Sequence, residues 1–135
     1  MTYTVVFDTN ILLSALFSLS GKPFRCLALA KMGLIKSVTC QEILDEFQEK
    51  LLSKFAYSLE VAQAAVQEVL NCSQLVKISR DLKVVTADPD DDMVVECAIV
   101  GNASHIITGD RHLLSLVNYQ GISIVKAADF LTLVS

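Results

Sequence analysis

The sequence predicts an α/β fold, namely a three-layer α/β/α domain with a central, mostly parallel, twisted sheet. Short β-branched apolar runs alternate with segments of helical periodicity along the 135 residues. Hydrophobic residues make up 53% of the chain and charged residues 19%, which is enough for a core and excludes a disordered chain. No repeat, low-complexity tract or composition break marks a linker, so we expect residues 1–135 to form a single domain.

The first elements are a strand and two helices. Thr4 to Phe7 is a short apolar run typical of a buried strand, and it ends at Asp8. Asn10 is expected to cap a short helix that reaches Phe17. Pro23 suits the first turn of a second helix, which continues to Met32, and Gly33 suits its C-terminal cap.

The next predicted elements are a strand and a capped helix. Leu34 to Val38 fits the strand, and Thr39-Cys40-Gln41-Glu42 has the spacing of a capping box. The helix that follows carries one apolar face, formed by Ile43, Leu44, Phe47 and Leu51.

The second half of the chain continues the alternation. Helices are predicted over Leu59 to Asn71, from the acidic turn Asp88 to Asp92 through Val100, over Arg111 to Val117, and over Ala127 to Val134. Strands are predicted over Leu75 to Ile78, His105 to Thr108, and Ile122 to Val125.

Composition restricts the function classes. Fifteen acidic residues against eleven basic ones give a net charge of −4, which argues against a broad positive face coating nucleic acid. The chain has no apolar run long enough for a membrane span and no basic leader at its start, so a cytoplasmic protein is expected. The four cysteines form no CxxC pair, which favours buried thiols over disulfides or a zinc site.

Two aspartates follow apolar strands directly. Asp8 and Asp110 each come at the carboxyl end of a strand, where open α/β sheets form their ligand crevice. The two can therefore converge, although 102 positions separate them in sequence. Either residue alone could equally be a helix cap or a turn residue.

The helix after the acidic turn carries further carboxylates. It is apolar almost all round, so we expect it to be buried, and Asp92 and Glu96 lie four residues apart on one of its faces. A buried carboxylate costs several kcal/mol unless it is paired, neutralised or bound to a metal. Asp90 and Asp91 are explained by the helix dipole, which favours acids in a first turn.

Glu46 is a fourth candidate. Glu42 is explained as the capping-box partner of Thr39, whereas Glu46 lies at the edge of the apolar stripe, where a side chain can enter a cleft. A solvated helix flank is the alternative. Together, Asp8, Glu46, Asp92 and Asp110 would form an all-oxygen site that selects Mg²⁺ or Mn²⁺. Two such ions roughly 4 Å apart could activate a water and stabilise the leaving oxygen of a phosphodiester.

With this constellation the sequence resembles the PIN-domain family of nucleases. The matching motifs are Val6-Phe7-Asp8-Thr9-Asn10, Ile43 to Phe47, Asp88-Pro89-Asp90-Asp91-Asp92, and Ala103 to Asp110, in this order and spacing over residues 3–126. Within the family the chain is most similar to prokaryotic VapC-like toxins of type II toxin–antitoxin pairs.

The resemblance implies a PIN-like fold and a metal-dependent endoribonuclease. Asp8, Glu46, Asp92 and Asp110 would be catalytic and hold Mg²⁺ or Mn²⁺, with Asn10 and Thr108 as supporting polar groups. It also implies homodimers and a cognate antitoxin. The three consecutive aspartates leave the third acid open between Asp91 and Asp92, and the eighteen-residue spacing to Asp110 and the helix face favour Asp92. Asp91 and Glu96 are then supporting acids.

Basic residues near these motifs are candidate contacts to the RNA. Lys22 and Arg25 follow the first strand and helix, Lys50 follows Glu46, and Arg111 follows Asp110. Single surface charges of this kind can equally be solvated side chains.

Two alternative functions share the fold class. A non-catalytic RNA- or protein-binding module would also fit, although all four carboxylates are present. A phosphoaspartate or receiver-type domain shares the strand-end aspartate, but Asn10 stands where a dehalogenase-like motif needs a second acid, and Asp8 lacks the acidic neighbour of a receiver.

Overall fold

The computed structural model describes residues 2–84 and 89–135. Its strands are β1 (Thr4–Phe7), β2 (Lys36–Cys40), β3 (Ser73–Val76), β4 (His105–Ile107), β5 (Asn118–Tyr119) and β6 (Ile122–Val125). Its helices are α1 (Thr9–Phe17), α2 (Lys22–Lys31), α3 (Gln41–Ser53), α4 (Leu59–Asn71), α5 (Pro89–Val100), α6 (Arg111–Leu114) and α7 (Ala127–Val134).

The strands form a six-stranded sheet in the order β3-β2-β1-β4-β6-β5, which confirms the predicted α/β class. All neighbouring pairs are parallel except β5 with β6. From β1 the chain steps outward to β2 and β3, and then crosses back to β4 and β6. Because parallel crossovers are right-handed, the two directions of stepping place helices on opposite faces of the sheet. The result is the predicted three-layer arrangement.

The central strands carry the core. Val5 and Val6 of β1 and Ile106 and Ile107 of β4 are completely buried, as parallel strands covered on both faces must be. In register, Phe7 lies beside Ile107, so β1 and β4 end at the same level. This shared end brings the residues that follow the two strands together.

The sequence predicted several boundaries correctly and missed others. The β1, α4, β6 and α7 ranges agree with the predictions, and Gly33 ends α2 with a φ of 76° that suits glycine. Predicted strands at Leu34 and Leu75 instead begin at Lys36 and Ser73.

The predicted capping box at Thr39 does not form. β2 continues through Cys40, because Thr39 and Cys40 pair with Leu75 and Val76 of β3. Pairing in the sheet holds Thr39 inside the strand, and α3 begins at Gln41 without a side-chain cap.

Two further boundary predictions were wrong. Asp8 rather than Asn10 is the N-cap of α1. The helix after Asp110 ends at Leu114, and the chain then forms the short antiparallel strand β5, which the sequence did not predict. Asp88, which opened the predicted acidic turn, lies outside the described residues.

The described residues contain no single helix that is both long and apolar enough to cross a membrane. Only the bent pair α1 and α2, at 100° to each other, has the required combined length and composition. The four cysteines are free thiols; Cys26, Cys40 and Cys97 are buried, whereas Cys72 is only partly buried.

Candidate active site

Asp8 and Asp110 lie at the ends of two neighbouring strands and are linked through Thr108. The Thr108 hydroxyl donates a hydrogen bond to Asp8 Oδ2 at 2.7 Å and accepts one from the Asp110 backbone N–H at 3.0 Å. Thr108 is completely buried, and Asp8 is only 5% exposed. The convergence expected from the strand ends is therefore present in the structure.

Asp8 also starts α1. Its backbone N–H donates to the carbonyl of Ile107 at 3.0 Å, which extends the β1–β4 pairing by one residue. Its Oδ1 accepts a hydrogen bond from the backbone N–H of Thr9 at 2.8 Å. The carboxylate is thus fixed by one helix-capping contact and one contact from the neighbouring strand, and it cannot turn away into solvent.

Burial raises the pKa of the Asp8 carboxyl above its ordinary value. Hydrogen bonds from Thr108 and Thr9 act in the opposite direction, while the negative charge of Asp110 raises the pKa further. The charge of Lys50 lowers it. A nearby cation would therefore favour the ionised form of Asp8.

Asp110 is the N-cap of α6 and contacts Asp91. Its Oδ2 accepts a hydrogen bond from the Leu113 backbone N–H at 3.0 Å. Burial raises the pKa of the Asp110 carboxyl, but hydrogen bonds with Asp91 and with the backbone of Leu113, together with the charge of His112, outweigh it. The pKa consequently lies below its ordinary value.

Glu46 lies on α3 within a second group of polar residues. Burial raises the pKa of its carboxyl, contacts with Thr9 and Lys50 lower it, and Asp90 raises it. Lys50 Nζ lies 3.8 Å from Glu46 Oε1. The buried Thr9 hydroxyl lies beside Glu46 without the geometry of a regular hydrogen bond. Since Lys50 also acts on Asp8, α3 borders the Asp8 group.

Asp92 and Glu96 lie on a different side of α5 from Asp91. Asp92 Oδ1 accepts a hydrogen bond from the backbone N–H of Val84 at 2.8 Å. Glu96 is 7% exposed, and its carboxylate accepts hydrogen bonds from the segment before α5. The contact to Asp110 comes from Asp91, whereas the sequence favoured Asp92. The three consecutive aspartates explain this difference, because one residue rotates a side chain by about 100° around the helix.

The other predicted site residues are mostly at the surface. Asn10, in the first turn of α1, is exposed. Of the predicted RNA contacts, only Lys50 interacts with the carboxylates described above. The remaining three are exposed and lie at the N-terminal ends of two helices, namely Lys22 and Arg25 on α2 and Arg111 on α6.

The donor set fits a hard divalent cation. Its members are carboxylates and hydroxyls, the ligands that Mg²⁺ and Mn²⁺ prefer, and no thiolate or imidazole lies among them. Within residues 2–84 and 89–135, however, no three acidic, histidine or cysteine side chains are already arranged around one ion position. The carboxylates instead interact in pairs: Asp8 with Asp110, Asp110 with Asp91, and Glu46 with Asp90.

Thr9 and Asp90 were not among the predicted site residues, and Asp91 was predicted only as a supporting acid. On a helix that is apolar almost all round, one signal weakly favoured Asp91. It stands four residues before Val95 and seven before Ala98, and both of these are completely buried. This spacing places Asp91 on the stripe of α5 that faces the core.

Comparison with known proteins identifies the family. A family model described as "PIN domain" matches residues 4–112 of the chain. No curated protein is significantly similar to the chain in sequence.

Two solved structures share the fold. One is a chain of VapBC2 from Rickettsia felis, crystallised with a DNA fragment from the VapBC2 promoter. The match has a TM-score of 0.62 and 16% sequence identity, and it covers 90% of this chain and 96% of that one. The other is the T. brucei RRP44 PIN domain, with a TM-score of 0.53 and 12% identity over 98% of this chain and 80% of that one. The family match spans most of the chain, including Asp8, Glu46 and Asp110, and we conclude that the chain belongs to the PIN domain family of nucleases.

Proposed function

We propose that this protein is a divalent-metal-dependent endoribonuclease that uses Asp8, Asp91, Asp110 and Glu46. The observation that carries the proposal is the Thr108 bridge between Asp8 and Asp110. It joins the Asp8 carboxylate to the backbone of Asp110, 102 positions away in sequence, at the carboxyl end of the sheet. A structural cap alone would not require a second acid nearby whose negative charge raises the pKa of the buried Asp8 carboxyl.

Asp8, Asp110 and Asp91 would hold the metal, with Glu46 completing the site from α3. Mg²⁺ or Mn²⁺, when bound there, would supply Lewis acidity and a water of lowered pKa. Bound cations also allow a protein with a net charge of −4 to accept the RNA backbone.

The chain's own residues keep the site ionised and oriented. Thr108 and Thr9 donate hydrogen bonds to Asp8 and so favour its carboxylate form. The α6 N-terminus holds Asp110 through the Leu113 backbone N–H. Lys50 balances the charge of Glu46 and can contact a substrate phosphate when the Glu46 contact breaks. Lys22, Arg25 and Arg111 would contact more distant phosphates, and Asn10 would be a polar neighbour.

In this proposal Asp92 and Glu96 support the site indirectly. They hold the segment before α5 and thereby fix the helix that carries Asp91. Glu96 accepts hydrogen bonds from three backbone N–H groups and the Ser79 hydroxyl, so it needs no metal to offset its burial.

We further propose that the protein is the toxin of a toxin–antitoxin pair. The VapBC2 structure from Rickettsia felis, which holds both members of such a pair, supports this assignment through its shared fold. A cognate antitoxin, a homodimeric state and a cytoplasmic location belong to the same proposal. Expression of the chain in a bacterial host, alone and together with the product of any small gene adjacent to its own, tests it through growth arrest and rescue.

Cleavage of labelled single-stranded and structured RNAs tests the nuclease proposal. The reactions contain Mg²⁺, Mn²⁺ or EDTA, with Asp8→Asn beside the wild type. We expect cleavage in either metal, none in EDTA, and a loss of at least 100-fold in Asp8→Asn, of the order seen when electrostatic catalysis is removed. Equal cleavage by Asp8→Asn contradicts the proposal. A folded protein that binds RNA without cutting it favours the non-catalytic module instead.

A further inference from the structure

The segment between β3 and α5 concentrates positive charge in an acidic protein. Residues 77–84, called the basic segment here, contain Lys77, Arg80 and Lys83 against the single acid Asp81. These three cations are among only eleven in the whole chain. All three side chains are exposed, whereas Ile78 is buried and anchors the segment to the core.

Two carboxylates of α5 hold the backbone of the basic segment in place. Glu96 Oε2 accepts hydrogen bonds from Ser79 N at 2.6 Å, Ser79 Oγ at 2.9 Å and Arg80 N at 3.0 Å. Glu96 Oε1 accepts one from Leu82 N at 3.2 Å, and Asp92 accepts one from Val84 N at 2.8 Å. These contacts lower the pKa of the buried Glu96 carboxyl despite its burial. An exposed segment with so many fixed backbone donors presents its side chains at defined positions.

Arg80 adopts a left-handed conformation with a φ of 71°. Glycine or asparagine adopts this conformation more easily than arginine does. The two ion pairs found in the described part of the chain join Lys31 to Glu68 and Lys50 to Glu46, so neither involves Arg80. Local backbone preference therefore does not account for an arginine here, and its charge is directed to solvent.

The basic segment begins at the same end of the sheet as the carboxylates, namely at the carboxyl ends of the parallel strands. β3, β2, β1 and β4 are parallel, so the residues that follow β3 leave the sheet at its carboxyl end, which is also the end where Asp8 follows β1. At its other end the segment contacts Asp92, the neighbour of Asp91 in α5. The segment therefore lies on a side of α5 next to the one that carries Asp91, and a strand of nucleic acid that passes the carboxylates would reach the three cations by curving around α5.

We propose that the basic segment binds the backbone phosphates of single-stranded RNA beside the catalytic carboxylates, with Arg80 as its central contact. This inference rests on the proposed ribonuclease function and adds the path of the substrate. The charge complementarity argues for a polyanion: three exposed cations lie within seven residues on a backbone that hydrogen bonds hold in place, and phosphate contacts position a nucleic acid independently of its sequence.

The test compares three variants by fluorescence anisotropy of a labelled 20-nucleotide single-stranded RNA over a series of salt concentrations. Arg80→Asn removes the charge at position 80 and suits the left-handed backbone there. The double variant Lys77→Gln with Lys83→Gln removes the two lysine charges and leaves Arg80 intact. Lys36→Gln is the matched control, because Lys36 is exposed at the start of β2, at the opposite edge of the sheet. An Asp8→Asn background with Mg²⁺ prevents cleavage during the measurement.

Each lost phosphate contact should weaken binding by about fivefold at roughly 0.1 M salt and reduce the slope of log K against log salt by about 0.7. We expect this for Arg80→Asn, and up to twice the change in slope for the double lysine variant. Lys36→Gln should bind as its parent does. The melting temperature of Arg80→Asn should be unchanged or higher.

The result that overturns the inference is unchanged RNA affinity and salt slope in both Arg80→Asn and the double lysine variant. An equal loss in Lys36→Gln also overturns it, because the effect would then reflect net charge alone. Cleavage by the otherwise wild-type protein separates this failure from failure of the proposed function. If RNA is cut in Mg²⁺ and Asp8→Asn abolishes cutting while the segment variants cut with unchanged KM, only the inference about the segment fails.

Discussion

Replacing Thr108 with valine tests how the two central aspartates are held together. The Thr108 hydroxyl is completely buried, donates to Asp8 Oδ2 at 2.7 Å and accepts from Asp110 N at 3.0 Å. Valine has nearly the same shape but makes neither contact. The substitution therefore removes the bridge with little change in packing.

The magnitude follows from the two contacts. A hydrogen bond to a charged group contributes about 1.5–3 kcal/mol, and an unsatisfied buried N–H costs about 1–3 kcal/mol. Because the Asp110 N–H is only partly buried, water can compensate for part of the second loss. We therefore expect Thr108→Val to lower the free energy of unfolding by about 3 kcal/mol, or roughly 10 °C in Tm for a chain of this size.

The assay is thermal unfolding in EDTA, followed by RNA cleavage in Mg²⁺. Thr108→Ser is the control, because it keeps the hydroxyl and loses only a methyl group, at a cost of about 1 kcal/mol. Cleavage should fall at least tenfold in Thr108→Val and much less in Thr108→Ser. If valine is tolerated better than serine, packing rather than the hydrogen-bonded bridge determines the role of Thr108.

Three further predictions concern charge. Millimolar Mg²⁺ or Mn²⁺ should raise the Tm of the wild type more than that of Asp8→Asn, since an ion bound only to the folded state stabilises it, and equal shifts would argue against this site. In EDTA at neutral pH, Asp8→Asn should itself raise the Tm, because burial raises the pKa of the Asp8 carboxyl and so makes its ionised form unfavourable in the folded state; a lower Tm would show that the capping contacts of Asp8 dominate. Glu96→Gln should cost about 2 kcal/mol at pH 7. The pKa of the Glu96 carboxyl is lowered in the folded state, so its contribution to the free energy of unfolding is present above the ordinary pKa of 4.5 and is lost as the pH falls through the folded-state pKa. The denaturation curves of Glu96→Gln and the wild type should therefore converge in acid. A difference that stays constant with pH would refute this reasoning.

The sequence predicted the part of the site that depends on strand ends. Asp8 and Asp110 could be placed because each follows a β-branched apolar run, and parallel strands end at one edge. Their bridge through Thr108 depends on the register of β1 against β4, which the sequence pattern does not specify. The helix cap at Asp8 is compatible with its place in the site, because the same carboxylate caps α1 through Oδ1 and accepts the Thr108 hydrogen bond through Oδ2.

The sequence could not distinguish the acids of α5. Apolar residues surround this helix, so hydrophobic periodicity gave only a weak indication of which side Asp91 and Asp92 occupy. Glu96 was expected to need a metal or a cation because it is buried. The backbone N–H groups of Ser79, Arg80 and Leu82 satisfy it instead, and a loop conformation of this kind leaves no pattern in the side chains. The same limit applies to Thr39, where pairing with β3 overrides a local capping preference.

The most direct test of the proposed site compares Asp91→Asn with Asp92→Asn in the RNA cleavage assay. The two residues are neighbours and the substitutions are identical, but Asp91 forms a hydrogen bond with Asp110, whereas Asp92 holds Val84 through an oxygen that asparagine retains. We expect Asp91→Asn to lose at least 100-fold in activity, and Asp92→Asn to stay within a few-fold of the wild type with a similar Tm. The opposite result, with Asp92 essential and Asp91 dispensable, would contradict the assignment of the carboxylates and with it the proposed metal site.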